Sequence, residues 1–168
     1  MKLIILIVIF LLIVVGLMAQ ANDRKNRKIQ RAEKNLMIAA KVDSLTLSGN
    51  FTIMAHSAQP MGWQTIQLSS LYDLQIKGDS VEANLPYYGR AYAVDYASTD
   101  GGIKINSTTI DYKQLRKRNN WEITFETRTE SDLYQFRISI TTSGYATIFV
   151  TSNNRQGIGF NGELKGTR

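Results

Sequence analysis

The sequence predicts an all-β protein, a single antiparallel barrel-like or sandwich domain of roughly eight to ten strands preceded by one N-terminal α-helix. Three observations carry this. From residue 50 onward apolar residues recur with a period of two, and turn residues interrupt the chain every ten positions or so. Between residues 22 and 47, by contrast, there is neither Gly nor Pro, and good helix formers predominate. The whole is 168 residues long with 43% hydrophobic content, which suffices for one core. Three segments follow: a leader at 1–21, a helix at 22–47 and a β domain at 48–168.

The leader has a basic start at Lys2, an uncharged apolar stretch at 3–18, and then Ala19-Gln20-Ala21, a small-residue site. This is the layout of a secretory signal peptide, with cleavage expected after Ala21 or Ala19 and a periplasmic destination. The competing reading is an uncleaved membrane anchor. Arg24, Lys25, Arg27, Lys28 and Arg31 follow at once, and positive charge tends to be retained on the cytoplasmic side.

The helix can be capped by Asn22 or Asp23, and its apolar positions Ile29, Ala32, Leu36, Ala39 or Ala40 and Leu47 recur at spacings near three and four. Its charged first half is expected in solvent or against anionic lipid headgroups through Arg24, Lys25, Arg27, Lys28 and Arg31. Its apolar second half is expected to dock on the β domain.

Strands are expected at 51–55 and 63–68, separated by the Gln59-Pro60-Met61-Gly62 break, and at 71–77 and 81–85 around a Gly78-Asp79-Ser80 hairpin. Asp100-Gly101-Gly102 turns the chain into a strand at 103–105. Trp121, Ile123 and Phe125 alternate with polar residues, as do Tyr134, Phe136, Ile138 and Ile140. Ser143-Gly144 leads into 145–151, and residues 153–157 turn into 158–164. The C-terminal third thus reads as a meander.

The net charge of +6 suggests nucleic acid until it is located. Residues 22–44 hold seven Lys/Arg against three acids, whereas residues 45–168 hold twelve basic and eleven acidic side chains. The β domain is near neutral, so no nucleic-acid partner is expected. The absence of cysteine excludes disulfides, Cys-ligated zinc and a thiol nucleophile. With a single histidine, His56, no metal and no cofactor are expected. Gly157, Gly159 and Gly162 match GxGxxG, but too few residues follow for the helix that pattern requires. Glu126, Glu130 and Asp132 are expected in solvent at a hairpin tip. Lys113, Arg116, Lys117 and Arg118 are expected in a solvated connection, with a polyanion contact as the rarer alternative.

The densest unusual stretch is Leu85-Pro86-Tyr87-Tyr88-Gly89-Arg90-Ala91-Tyr92. In extended chain Tyr88, Arg90 and Tyr92 face one way and Tyr87 the other. An arginine held between two tyrosine rings could offer a planar fork to an acidic group. It could equally pair with Asp95 or Asp100 in a structural bridge.

At this block the sequence resembles the exported bacterial family grouped as domain of unknown function 4251. The resemblance also takes in Ala58-Gln59-Pro60 with Gly62, Ile66-Gln67-Leu68, Gly101-Gly102-Ile103, and Ser152-Asn153-Asn154-Arg155 with Ile158, Phe160 and Gly162. Tyr88 stands where Phe is expected, and Phe160 where Tyr is expected. The resemblance implies export and the β fold, and it supplies no activity. Some relatives look like lipoproteins, an anchor that a chain without cysteine cannot carry.

The expectation is therefore a non-enzymatic envelope protein that binds a small amphiphilic ligand or a protein partner through Tyr87, Tyr88, Arg90, Tyr92 and Arg155. The alternative is a structural or interaction module whose basic helix touches membrane or another envelope protein. Hydrolysis by Asp100 or Glu126 is disfavoured, because no base, nucleophile and orienting group can be assembled from spacing.

Overall fold

A computed structural model describes residues 2–92, 101–108, 110, 112–130 and 132–166, with backbone alone for 2–23. Its contacts divide the chain into two units, Met1–Met37 and Ile38–Arg168. Helix α1 (Lys2–Ser48) supplies the described residues of the first unit and the opening residues of the second. Residues 24–37 are exposed throughout, including Ile29, Leu36 and Met37. Among the described residues no helix is long and apolar enough to cross a membrane. The apolar stretch 3–18 and the expected cleavage positions Ala19 and Ala21 lie outside the side chains described.

The period-two pattern becomes nine strands: β1 (Asn50–Pro60), β2 (Ile66–Lys77), β3 (Ser80–Leu85), β4 (Ile103–Ser107), β5 (Tyr112–Arg116), β6 (Asn120–Arg128), β7 (Leu133–Thr141), β8 (Tyr145–Ser152) and β9 (Ile158–Gly166). They form one antiparallel sheet in the order β4-β3-β2-β1-β9-β8-β7-β6-β5, curled into a half-barrel. The expected all-β architecture is borne out. Two meanders, β1 to β4 and β5 to β9, are joined side by side because the first strand pairs with the last.

Alternation places Ile53, Leu74, Ile76, Ile123, Phe136, Ile138, Ile148 and Phe160 on the inner face, each at most 2% exposed. Phe125 and Phe136 are direct cross-strand partners, and their rings stack at 4.7 Å. Full burial of such a side chain contributes roughly 1.5–3 kcal/mol, so this face dominates the stability of the sheet.

Three local expectations are corrected. The first strand does not stop at residue 55 but runs on to Pro60, because the register shifts between Ala55 and Ser57 and leaves His56 as an exposed bulge residue. Opposite the bulge stands Gly162, where a Cβ would run into the Met54 carbonyl, so only glycine fits. The segments 63–68 and 71–77 are not two strands. Ile66–Lys77 is one strand interrupted by an irregularity opposite His56, with Leu71 turned outward. Finally, Lys113 and Arg116 belong not to a connection but to the edge strand β5.

Strand directions gather the β1–β2, β3–β4, β6–β7 and β8–β9 connections at one end of the sheet. The other end is closed by the last turns of α1. There Val42 is 4% exposed, Thr46 is fully buried, and Ile38 and Leu45 pack on the core. Gly49, at φ 66°, ends the helix in the left-handed region that side chains avoid. Trp121 Nε1–H donates to Asp43 Oδ1 at 2.7 Å, and the Arg116 guanidinium meets the same carboxylate at 3.3 Å while lying over the Trp121 ring. Lys117 pairs with Glu122 at 2.6 Å, and Arg118 is exposed in the turn.

Candidate functional site

The Leu85-to-Tyr92 block leaves the sheet at the loop end. Leu85 and Pro86 are buried, and Tyr87 folds back over its own loop. Its hydroxyl donates toward two carbonyls, Arg90 O at 2.7 Å and Gln156 O at 3.0 Å, so one proton joins the block to the β8–β9 turn. Gly89 makes room for this fold-back, since a Cβ there would strike the Tyr87 ring and hydroxyl. The backbone repeats the connection. Tyr92 N–H donates to Asn154 O at 2.7 Å, Gln156 N–H donates to Arg90 O at 3.0 Å, and Ala91 bridges Arg155 as in an antiparallel pair.

Arg155 completes the lacing. Its guanidinium lies 5.1 Å from the Tyr87 ring centroid, and Nη1 donates to Gly101 O at 2.7 Å and Gly102 O at 3.3 Å. Gln156 Nε2 reaches Met61 O at 3.4 Å, which attaches the β1–β2 turn as well. Burial pushes the Tyr87 phenol above its ordinary 10.0, with the Arg155 charge opposing that rise.

Two of the five expected ligand residues, Tyr87 and Arg155, are thus committed to holding the loops. The other three, Tyr88, Arg90 and Tyr92, are exposed, with Tyr92 at 71%. Of the two readings of Arg90, the clasp between tyrosine rings is not what forms: among the described residues the cation lying over a tyrosine ring is Arg155, over Tyr87. A register argument from extended chain misses this because residue 87 folds back onto a segment distant in sequence. Asp95 and Asp100, the alternative partners of Arg90, lie outside the described residues. Met61 and Trp63, 54% and 69% exposed at the attached turn, were not predicted as part of the surface. Their only sequence signal is a large apolar pair beside a turn glycine.

Asp132 corrects the reading of a solvated acidic tip. It is 8% exposed, and its Oδ1 accepts N–H bonds from Leu133 at 2.9 Å and Asn153 at 3.2 Å, so it organises the β6–β7 turn. Glu126 and Glu130 are exposed, and Glu126 accepts from Gln135. His56 lies 4.0 Å from Glu163 on the surface, and no cluster of potential metal ligands occurs among the described residues. The glycines of the GxGxxG match have packing roles: Gly157 and Gly159 lie against the Phe149 ring, and Gly162 accommodates the bulge.

A half-barrel closed by a helix at one end and laced by tyrosine and arginine at the other defines a small β-domain class. A family model for "Domain of unknown function (DUF4251)" matches residues 33–164, and the chain belongs to that family. The family resemblance read from the tyrosine-rich block is borne out. A crystal structure of a DUF4251 family protein from Bacteroides eggerthii DSM 20697 is similar to this fold. Its TM-score is 0.60 at 16% identity, covering 77% of this chain and 88% of that one. No curated protein matches the chain.

Proposed function

We propose that this is an exported cell-envelope protein that binds rather than catalyses, and that its contact surface is Tyr88, Arg90 and Tyr92 with the neighbouring Trp63. The observation that carries this reading is the division of labour in the tyrosine-rich block. Tyr87 and Arg155 hold the loop by bonds to carbonyls, while the next rings and the Arg90 side chain stand outside. Exposed rings offer apolar area at small entropic cost, and a guanidinium gives directional donors to an acidic group. The ligand suited to both is amphiphilic with an acidic headgroup, or a partner protein presenting the same combination. Export is supported by the leader pattern at 1–21.

Native mass spectrometry of protein purified from the periplasm should show a bound mass that Arg90→Ala and Tyr92→Ala each remove. Both substitutions spare the backbone bonds at Arg90 O and Tyr92 N–H, so the melting temperature should hold. Protein that is always empty, or variants that lose ligand only by unfolding, would defeat the proposal.

A second reading is favoured by the exposure of Arg24, Lys25, Arg27, Lys28 and Arg31 together with Ile29 on one helix. Such a turn suits an anionic membrane surface at roughly 1 kcal/mol per cation. Removing residues 22–34 should abolish co-sedimentation with phosphatidylglycerol vesicles while the β domain melts normally. Unchanged sedimentation argues against it.

A further inference from the structure

The outer face of the C-terminal meander carries a second surface, unrelated to the tyrosine-rich loop. Direct cross-strand pairing sets Lys113, Thr124, Arg137, Phe149 and Gly159 in one straight row from β5 to β9. The adjacent row holds Glu126, Gln135 and Thr151. A hollow of about 470 Å³ lies over these two rows, a size usual for small-molecule sites.

At its β8 side is an aromatic ring laid on glycine backbone. A Cβ on Gly157 would come within 3.1 Å of Phe149 Cζ, and one on Gly159 within 3.9 Å of Cδ2, so the absence of side chains at both positions seats the ring against β9. Phe149 is nevertheless only half-buried and lines the hollow, so part of the ring is presented to it. Beside the ring, Gln135 Nε2 donates to Glu126 Oε1 at 3.0 Å and fixes two planar polar groups. Arg137 stands directly across from Phe149, with Lys113 two strands further along the row. Both are exposed, and among the described residues neither side chain has a hydrogen-bond or ion-pair partner.

We infer that this hollow binds an anionic sugar, a uronate unit of an acidic polysaccharide. An aromatic face takes the C–H face of a pyranose ring, and the Glu126–Gln135 pair and Thr151 match ring hydroxyls. Arg137 and Lys113 outnumber the single carboxylate, which Gln135 already engages, so the charge balance selects a carboxylated sugar over a neutral one.

Isothermal titration of the purified protein with tetragalacturonate and with tetramannuronate tests this. At least one should bind, and its methyl-esterified, neutral counterpart should bind at least tenfold more weakly. Arg137→Gln and Phe149→Leu should each weaken binding at least tenfold. Arg137 has no partner to lose, so Arg137→Gln should keep the parent melting temperature and remains informative should Phe149→Leu disturb the strand. No heat from either uronate at millimolar concentration, equal binding of the esters, or full binding by Arg137→Gln overturns the inference.

Discussion

The two ends of the half-barrel are closed by different kinds of contact. At the helix end, the apolar side chains of Val42, Ile38 and Leu45 meet the core, and one carboxylate, Asp43, receives Trp121 and Arg116. At the loop end two side chains, Tyr87 and Arg155, donate to the carbonyls of Arg90, Gln156, Gly101 and Gly102. Closure at the first end is part of the hydrophobic core, so it should fail only with the whole domain. Closure at the second is a set of polar bonds near the surface, so it should open by itself.

Trp121→Ala probes the helix end and should show the largest effect. Truncating a tryptophan that is 5% exposed costs roughly 3–5 kcal/mol and should appear as a cooperative loss in urea melts. A loss confined to the helix residues would break the contrast. Arg155→Ala should cost less, about 1.5–3 kcal/mol, as expected for hydrogen bonds to a charged donor. Its signature is local: amide exchange at 87–92 should speed up while the amides of β6 to β8 keep their protection. Arg155→Lys should rescue only in part, because an ammonium lacks the planar guanidinium that lies over Tyr87.

Tyr87→Phe should be the mildest, about 1 kcal/mol at neutral pH, since one shared proton is lost. It also carries a pH signature. Burial raises the folded phenol above 10.0, so the folded state holds the proton more tightly than the unfolded chain does. The resulting stability is present in full below pH 10 and is lost as pH rises through the folded value. Parent protein should therefore lose stability above pH 10 more steeply than Tyr87→Phe, as measured by urea melts across that range. Equal slopes would remove the proton from the account of this end.

The same contrast explains what could be read in the sequence. Apolar alternation at Trp121 to Phe125 and Tyr134 to Ile140 announces inner-face strands, and the C-terminal meander follows directly. Charged alternation is mute: Lys113 and Arg116 lie in a strand whose edge position spares it an apolar face, so they read as a loop. Ser69-Ser70 resembles a break because an irregularity within a strand uses the residues of a turn. At the candidate surface, Arg155 and the tyrosines stand out as residue types, but their partners are main-chain carbonyls, which every residue possesses. Nothing in the spacing could tell that Tyr87 would donate inward while Tyr88 and Tyr92 remain exposed. Asp132 is hidden for the same reason, because its acceptor role is toward backbone N–H groups.

The pairing of β1 with β9 has a kinetic consequence. Each meander is built from neighbours in sequence, joined by short turns except for the long β3–β4 connection, whereas the seam between the meanders joins Phe51 to Gly166 across almost the entire β domain. Until the residues of β9 are available, β1 and β8 each present an unpaired edge at what becomes the centre of the sheet. Those two edges are therefore the places where a chain that has not yet seated β9 is open to intermolecular pairing.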